Sequence, residues 1–352
     1  MFPDDELERF RKQLLTWFAS HRRDLPWRRT SNPYAIWISE IMLQQTRVAA
    51  AISYYERFLG RFPDFQALAD ASESDLLAHW AGLGYYYRAR NLQKAARLIR
   101  DAGRFPATFE GLRSLPGTGD YTAAAVASIS FNLPHAVLDG NVFRVLSRVF
   151  GDTTNIASAA GRKHFSAIAD KLLDRNQPGA FNQAIMELGA TICLPRSPHC
   201  LVCPVSDLCR ARHGGRQNEL PVKARRHGGV REYRQLFWVE REGNLLVWQR
   251  PSTSRLMPGF WELPERAELG WTAGGRKLGS FRHMITFHDY LFEVAEVETG
   301  TLQPSAECQW MPLRDLDSRP TSTILRKARR VVEKHKGQCT DAPRAAKLGG
   351  RG

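Results

Sequence analysis

The stretch that decides the fold is Leu115–Ile129, which reads LPGTGDYTAAAVASI. Gly117 and Gly119 allow a tight turn with positive φ, and Pro116 fixes the backbone angle where the chain enters it. The Ala-rich segment Thr122–Ser130 then predicts a helix. Backbone N–H groups of the turn and of the helix N-terminus would point outward and form an anion site suited to a phosphate. These residues favour a helix–hairpin–helix motif, with a plain turn between two helices as the alternative.

Outward from this hairpin, apolar residues recur at helical spacing up to about residue 210, between Pro, Gly and Asn breakers. The predicted helices lie within Leu7–His21, Tyr34–Leu59, Glu73–Trp80, Tyr87–Asp101, Tyr121–Phe131, Val142–Phe150 and Gly161–Asp174.

After a polar, basic and Gly-rich stretch the pattern changes to β-branched and aromatic residues with strand-like spacing. We expect strands within Tyr233–Glu240, Asn244–Arg250 and Thr286–Glu298, and a late helix at about Ser322–Lys336. An all-helical domain is therefore followed by a mixed α/β domain.

Length and charge limit the possible classes of protein. The 352 residues suggest about two domains, and 50 Lys and Arg against 36 Asp and Glu give a formal net charge of +14. Both halves are basic, which suits a bound polyanion, although a soluble protein with a high pI is the simpler alternative. We find no apolar run long enough for a membrane helix and no signal peptide at the start, so a cytoplasmic protein is expected.

Four of the six cysteines lie close together, with the spacing C-x6-C-x2-C-x5-C. Thiolates this close together in a cytosolic chain serve as soft-metal ligands more readily than as disulfides. Structural zinc usually takes two tight pairs, whereas only one pair is tight here, which favours a [4Fe–4S] cluster over zinc or no metal. The predicted ligands are Cys193, Cys200, Cys203 and Cys209.

Two acids are candidates for chemistry. Glu40 lies between Ile38 and Ile41 on a strongly apolar helix, where partial desolvation would favour its protonated form and suit a general acid. Asp139 follows an apolar stretch and could instead cap the next helix, although Asn141 fits that role better. Two carboxyl groups in different environments can cleave a glycosidic bond, because one protonates the leaving group and the other stabilises the sugar cation. The same chemistry serves for a nucleotide flipped from DNA. The alternative for Glu40 is a solvated helix residue.

Six segments together resemble the MutY family of adenine DNA glycosylases, which belongs to the helix–hairpin–helix superfamily shared with endonuclease III. The resemblance covers residues 5–335 and rests on SEIMLQQTRV (39–48), GLGYYYRARNL (82–92), LPGTGDYTAAAVASI (115–129), LDGNVFRVLSR (138–148), FNQAIMELGATIC (181–193) and the four-cysteine loop. It implies a mainly α helix–hairpin–helix glycosylase fold with a [4Fe–4S] cluster loop, followed by an α/β Nudix-like (MutT-like) domain.

The resemblance also implies roles for individual residues. Glu40 would protonate adenine N7, Asp139 would face C1′ and stabilise a cationic or covalent sugar, and Tyr121 and Asn141 would support these acids. The pocket for the extruded adenine would comprise Arg23, Leu25, Trp27, Arg28 and Glu187. The residues that wedge into the duplex or contact DNA and the opposite oxidised guanine would comprise Gln45, Thr46, Leu83 and Tyr85, with Pro116, Gly117 and Gly119 of the hairpin.

Tyr121 distinguishes activities within this superfamily. At this position the bifunctional enzymes carry a lysine that forms a Schiff base and cleaves the strand, which a tyrosine cannot do. The resemblance therefore implies a monofunctional enzyme that leaves an abasic site. The alternatives are a bifunctional pyrimidine-damage glycosylase, a non-catalytic DNA-binding protein with a redox-responsive cluster, and a nucleotide pyrophosphatase.

The later part of the chain, LLVWQRPSTSRLMPGFWELP (245–264), resembles the opening of a Nudix fold without the Mg²⁺-binding acids that follow in a working hydrolase. It implies a domain that recognises 8-oxoguanine. Where the family usually has Phe-Ser-His, this chain has Ile285-Thr286-Phe287, so Thr286 is the candidate contact, with a surface β-hairpin as the alternative.

The predicted organisation is a glycosylase domain at 1–212 with the iron–sulfur loop at 193–209, a linker at 213–230, a Nudix-like lesion-recognition domain at 231–336 and a disordered tail at 337–352. The expected partner is double-stranded DNA with A:8-oxoguanine or A:G mispairs. We expect a monomer that does not bind membranes and that is associated with the nucleoid if the source is bacterial.

Overall fold

The computed structural model describes residues 2–224, 230–251, 253–254, 259–270, 275–285, 288–297, 304–319 and 321–340. The chain forms two compact units, Met1–Ala224 and Arg225–Gly352. None of the helices in these ranges combines the length and apolar character that crossing a membrane requires.

The first unit consists of α-helices joined by loops and 3-10 turns, and its described residues contain no strand. Several helices begin at a residue whose side chain accepts a hydrogen bond from a free N–H of the first turn, as Asp64, Ser72, Thr108 and Ser158 do. The helices are α1 (Asp4–His21), α2 (Pro33–Leu43), α3 (Val48–Arg61), α4 (Phe65–Asp70), α5 (Glu73–Trp80), α6 (Tyr87–Asp101), α7 (Phe109–Arg113), α8 (Asp120–Phe131), α9 (Gly140–Phe150), α10 (Ala159–Leu172), α11 (Pro178–Thr191) and α12 (Arg210–His213).

One segment that was predicted to be helical forms two helices in the structure. The apolar spacing over Tyr34–Leu59 predicted helical structure without marking a break, and in the structure α2 ends at Leu43 and α3 begins at Val48. Gln45, between them, has φ +58°, a left-handed backbone that a helix does not contain. The break leaves a short loop directly after the turn of α2 that carries Glu40.

The Ala-rich helix α8 lies between two hydrophobic clusters of the first unit. Ala123, Val126 and Ala127 belong to one cluster with residues of α2, and Ala124 and Ala125 belong to the other with residues of α1, α9 and α11. Small side chains let helices approach α8 from both sides. The first turn of α8 is thereby held near α2 and α11, where the predicted site residues lie.

The end of the first unit differs from the predicted linker. Leu220 is buried, and its carbonyl accepts a hydrogen bond from Arg148 Nε at 3.0 Å. The Ile156 amide donates to Val222 O at 3.1 Å, and the Ala224 amide donates to the side chain of Asn155. Residues up to 224 therefore pack on the helices, because a buried leucine and paired backbone groups hold them there.

The second unit is a mixed α/β fold, as predicted. One sheet has the order β1–β6–β5, in which β1 and β6 are parallel and β5 and β6 are antiparallel; in the other, β3 pairs with β2, β4 and β7. The elements are β1 (Val230–Trp238), β2 (Glu240–Arg241), β3 (Asn244–Gln249), β4 (Trp261–Glu262), α13 (Arg266–Leu269), β5 (Arg276–Ile285), β6 (His288–Glu296), β7 (Cys308–Pro312) and α14 (Thr323–Thr340).

Helix α14 buries Ile324, Leu325, Ala328 and Val332 against the sheets. The predicted strands and the late helix are present, and β4, β5 and β7 are additional strands. The predicted disordered tail began at residue 337, but α14 continues to Thr340. The remainder of that tail, 341–352, lies outside the described residues.

Candidate active site and cysteine loop

Glu40 lies on the last turns of α2 and is 5% exposed. Burial raises the pKa of its carboxyl to about 7, and the nearby Asp139 carboxyl acts in the same direction. A hydrogen bond from the Tyr121 hydroxyl to Glu40 Oε2, at 2.8 Å, opposes the rise. The burial expected from the apolar sequence around Glu40 is confirmed, and the carboxyl is poised to hold a proton near neutral pH.

Tyr121 stands in the first turn of α8, directly after the hairpin. Its hydroxyl also lies 3.2 Å from Met186 Sδ on α11, so the phenol bridges α2 and α11. Burial and the neighbouring carboxyls Glu40 and Asp139 raise its pKa well above the ordinary value. The hydroxyl therefore stays protonated and acts as a donor.

Asp139 is the N-cap of α9, where its Oδ1 accepts the Val142 amide at 2.7 Å. The Asn141 side chain donates to the other oxygen, Oδ2, at 2.9 Å. The sequence favoured Asn141 as the cap, which was wrong because Asn141 already lies inside the helix and instead supports the aspartate. Burial raises the Asp139 pKa, and the two hydrogen bonds limit the rise.

Glu40, Tyr121 and Asp139 stand where two neighbouring cavities meet, since all three line both. One cavity contains every residue predicted for the adenine pocket, which are Arg23, Leu25, Trp27, Arg28 and Glu187. Ser39, Gln183 and Met186 also line it and were not singled out from the sequence. The other cavity contains the loop residues Gln45 and Tyr85. The candidate acids therefore stand between the cavity of the predicted adenine pocket and the cavity that the loop residues line.

Glu187 on α11 is 1% exposed and forms ion pairs with two arginines. Arg23 donates from Nε and Nη2 to the two carboxylate oxygens at 2.7 and 2.6 Å, and Arg28 Nη2 donates to Oε2 at 2.8 Å. Burial alone would raise the pKa of Glu187, but these hydrogen bonds outweigh it and lower the pKa to about 2. Glu187 is a fixed anion in the pocket.

The predicted wedge residues do not all lie together. Gln45 and Tyr85 are exposed, have φ of +58° and +47°, and line the loop cavity. Thr46 lines the other cavity. Leu83 is 8% exposed and belongs to the hydrophobic core, because its side chain packs with the helices around it. Thr286 lies outside the described residues.

The hairpin between α7 and α8 is present. Gly117 has φ +79°, and a Cβ there would lie 2.9 Å from Asn91 Cβ, so only glycine fits. Gly119 has φ −92° and is the extended N-cap of α8, so the positive φ of this turn lies at Gly117. Pro116 is half-buried next to them. The first backbone N–H groups of α8, which have no partner within the helix, come directly after this turn.

The cysteine loop connects α11 to α12, and all four predicted ligands line one cavity. They are free thiols, not disulfides. In the described part of the chain, no three His, Cys, Asp or Glu side chains converge closely enough to hold a single metal ion. Four cysteine thiols that line one cavity are the donor set that holds a [4Fe–4S] cluster in proteins. The residues that would hold it are Cys193, Cys200, Cys203 and Cys209.

Two buried arginines of α9 were missed from the sequence. Arg144 donates to Asn141 Oδ1 at 2.9 Å and to Cys193 O at 2.7 Å. Arg148 donates to Leu194 O at 2.6 Å and approaches Cys193 Sγ at 3.3 Å. Their position within the apolar stretch VFRVLSR was the available signal, since a buried arginine needs several acceptors. They tie the start of the cysteine loop to the helix that Asp139 caps.

Two known families match parts of this chain. Residues 38–171 match the HhH-GPD superfamily of base excision DNA repair proteins. Residues 193–209 match the iron–sulfur binding domain of endonuclease III. The first match contains both candidate acids and the hairpin, and the second contains the four cysteines.

Curated relatives match almost the whole chain. It is 35% identical to the adenine DNA glycosylase of Rattus norvegicus, over 95% of this chain and 80% of that protein. It is 34% identical to the adenine DNA glycosylase of Homo sapiens, over 97% of this chain and 77% of that protein. Both alignments extend beyond the helical unit into the second unit.

Solved structures resemble the first unit. A thermostable thymine-DNA glycosylase is 31% identical with a TM-score of 0.56, over 60% of this chain and 98% of that one. Endonuclease III in a non-covalent DNA complex is 22% identical with a TM-score of 0.52, over 61% of this chain and 99% of that one. This similarity shows that the two proteins share a fold.

Proposed function

This chain belongs to the adenine DNA glycosylase family, and we propose that it removes adenine opposite 8-oxoguanine or guanine as a monofunctional enzyme that leaves an abasic site. It is a DNA N-glycosylase of base excision repair. The observation that carries the proposal is the buried, proton-holding carboxyl of Glu40 beside Asp139, at the junction of the two cavities.

Glu40 is the general acid in this proposal. A pKa of about 7 keeps a large fraction of the carboxyl protonated at neutral pH, and the proton is available to adenine N7. Protonation turns the base into a better leaving group, so that the C1′–N9 bond breaks with its electron pair going to the base. Tyr121 donates to Glu40 Oε2 and so leaves the other oxygen to carry the proton.

Asp139 stabilises the positive charge that develops on the sugar. Hydrogen bonds from the Val142 amide and the Asn141 side chain favour its ionised form against the effect of burial. A water molecule then adds to C1′ and loses a proton, which completes the hydrolysis.

The pocket beyond Glu40 suits an extruded purine. Leu25 and Trp27 supply apolar surface, and the Glu187 carboxylate with its two arginines supplies fixed polar groups. The fixed arrangement costs little reorganisation when the base enters.

The mode of DNA binding in this proposal follows from the hairpin and the charge of the protein. The N–H groups at the start of α8 can bind a phosphate next to the target nucleotide. A net charge of +14 supports binding to the backbone on either side. Gln45 and Tyr85 would fill the space that the extruded adenine leaves.

The absence of strand cleavage rests on the residue at the hairpin. Tyr121 carries a hydroxyl where a Schiff-base enzyme needs an amine, and its raised pKa keeps that hydroxyl neutral. We therefore expect no covalent imine at this end of the cavity.

The protein carries a [4Fe–4S] cluster, whose ligands are the four cysteines of the loop. When bound, the cluster cross-links this loop, and Arg144 and Arg148 hold the loop against α9.

For the second unit we propose recognition of the base opposite adenine, on a Nudix-like fold without hydrolysis of nucleotides. The support is its mixed α/β architecture and the length of the match to the mammalian relatives. The monomeric state of the enzyme, its cytoplasmic location and its association with the nucleoid in a bacterial cell stay predictions.

The test is a panel of duplexes with adenine opposite 8-oxoguanine, guanine or thymine, with thymine opposite guanine and thymine glycol as competing substrates. Product is scored with and without alkali. We expect adenine release from the first two duplexes and strand breaks only after alkali treatment. Release of thymine instead of adenine, or breaks without alkali at the rate of base release, would contradict the proposal.

A further inference from the structure

Arg88, near the start of α6, is a buried arginine for which the reaction described above has no role. Its side chain is 3% exposed, and its guanidinium contacts backbone carbonyls at the end of α2, in the loop that follows α2, and in the loop before α6. Nη1 donates to Ile41 O at 2.9 Å, to Met42 O at 3.1 Å and to Gln44 O at 2.5 Å. One guanidinium nitrogen thus holds the end of α2, where free carbonyls need partners.

The second nitrogen of the same guanidinium reaches the other loop. Arg88 Nη2 donates to Leu83 O at 3.1 Å and to Gly84 O at 3.2 Å. Trp80 Nε1 also donates to Gly84 O, at 3.0 Å, and the Trp80 ring lies under the guanidinium at 5.3 Å. A planar group with donors on both sides can hold two backbones at a fixed separation, which an ammonium group cannot do.

Each of these loops carries one exposed non-glycine residue with a left-handed backbone. Gln45 directly follows the carbonyl of Gln44, and Tyr85 directly follows that of Gly84. Non-glycine residues occupy this region at a cost and persist there only when their surroundings hold them. Gln45 and Tyr85 line the same cavity as Glu40, although the two loops are separated in sequence by all of α3, α4 and α5.

We propose that Arg88 is a positioning residue that fixes the Gln45 and Tyr85 loops as one rigid wedge, so that both side chains enter the DNA duplex together when adenine is extruded. This inference rests on the proposed function and adds to it the group that aligns the wedge. Arg88 lines the same cavity as Gln45 and Tyr85, but its Nη1 and Nη2 donate to backbone carbonyls, so the proposal gives it no contact with base or sugar. It acts by setting the distance between two residues that must replace one base in the stack.

The burial of Arg88 supports a specific role. Its Nε has no hydrogen-bond partner among the described residues, and burial lowers its pKa. A buried donor without a partner destabilises the fold, so a smaller apolar residue would fill the space at lower cost. The buried arginine is offset by five hydrogen bonds to backbone carbonyls, which a smaller apolar residue could not make.

The experiment compares two substrates in the full-length holoenzyme. In one duplex adenine is paired with 8-oxoguanine, and in the other it faces an abasic-site analogue, so that no base pair has to be broken. For Arg88→Lys we expect single-turnover release roughly 10- to 100-fold slower than wild type on the paired duplex, since small misplacements have effects of this size. On the unpaired duplex we expect a loss of no more than about threefold, because extrusion there needs little help.

Arg97→Lys is the matched control, because it makes the same substitution on the same helix at an arginine that donates to Ala69 O at 3.2 Å. It should leave both rates at the wild-type value. An equal loss for Arg88→Lys on both duplexes, or no loss on either, would overturn the inference, since a general packing defect does not distinguish paired from unpaired adenine.

If Arg88→Lys does not fold, Trp80→Phe carries the test, since it keeps an aromatic ring but removes the donor to Gly84 O together with part of the buried indole. We expect it to slow release on the paired duplex by roughly two- to fivefold, in line with one lost hydrogen bond, with no loss on the unpaired duplex. Unchanged release on the paired duplex would refute the wedge. A wild-type protein that releases adenine from neither duplex would contradict the proposed function instead.

Discussion

Glu40 and Glu187 line the same cavity and are both almost fully buried, yet their carboxyl groups differ strongly in acidity. Burial raises the pKa of Glu40 to about 7. Burial acts on Glu187 in the same direction, but hydrogen bonds from Arg23 and Arg28 outweigh it and lower the pKa to about 2. One side of the cavity therefore holds a proton, and the other holds a permanent negative charge.

The difference lies in the donors that each carboxyl meets. Glu40 accepts from one neutral hydroxyl, whereas Glu187 accepts three hydrogen bonds from two guanidinium groups and a fourth from the Arg23 amide. Burial determines the direction of the pKa shift only when the carboxyl has no charged hydrogen-bond partners. The same residue type can thus act as a proton donor and as a fixed pocket wall within one site.

Replacing the proton donor should have the largest effect. Glu40→Gln keeps the shape and can still accept from the Tyr121 hydroxyl, but it has no acidic proton. We expect single-turnover adenine release to fall by about 10²- to 10⁴-fold, the usual contribution of a general acid, with duplex binding retained. Quenched-flow measurement of release beside a gel-shift measurement of binding checks this. A variant with the wild-type rate would mean that another group protonates the base.

Replacing the fixed anion, Glu187, should lower the stability of the fold. Glu187→Gln leaves two guanidinium groups without a counter-charge, and we expect the free energy of unfolding in urea at pH 7 to fall by about 2–3 kcal/mol. The value is below that of a fully buried pair, because the Arg23 side chain is 39% exposed. Glu8→Gln, an exposed residue on α1, is the control and should change nothing. Equal stability of the two variants would show that the arginines need no anion.

Part of this comparison was accessible from the sequence. The apolar neighbours Ile38 and Ile41 predicted a buried Glu40, because helical spacing leaves little room for solvent around it. The contact of Arg23 with Glu187 joins residues 164 positions apart, and no local pattern encodes such a distance. The pocket was named from family resemblance, while the ion pairs and the low pKa came only from the structure.

The departures from the sequence-based prediction have similar causes. Apolar residues recur at helical spacing on both sides of the polar residues 44–47, so the break between α2 and α3 was missed. The loop at this break is held by Arg88, which donates to the Gln44 carbonyl. Leu83 was named from the resemblance among the residues that wedge into the duplex or contact the opposite guanine; its side chain is buried in the core, and its contact with DNA stays a prediction. The cysteine spacing predicted the metal loop without any tertiary information, because the ligands are close in sequence.

The raised pKa of Glu40 also predicts a stability effect with a definite sign. The folded state binds the proton more tightly than the unfolded state, so the protein is most stable below about pH 4.5 with respect to this group, and it loses that stability as the pH rises through 7. A rise from 4.5 to about 7 corresponds to roughly 3 kcal/mol as an upper value. Glu40→Gln should therefore be more stable than wild type at pH 8 and equal to it at pH 4.5. Urea unfolding at both pH values checks this, and a variant less stable at pH 8 would contradict it.

The smallest expected effect tests the hydrogen bond that the Tyr121 hydroxyl donates to Glu40. Tyr121→Phe removes the hydroxyl that stabilises the ionised carboxylate, so the Glu40 pKa should rise further. One hydrogen bond is worth about 0.5–1.5 kcal/mol, which corresponds to a shift of roughly half to one pH unit. The rate of adenine release falls above pH 7 as the general acid loses its proton, and in Tyr121→Phe this fall should begin at higher pH. A full single-turnover profile from pH 5 to 9 measures the shift against wild type. A shift to lower pH would mean that the phenol supports the protonated acid, and Glu40 would then owe its proton to Tyr121 as well as to burial.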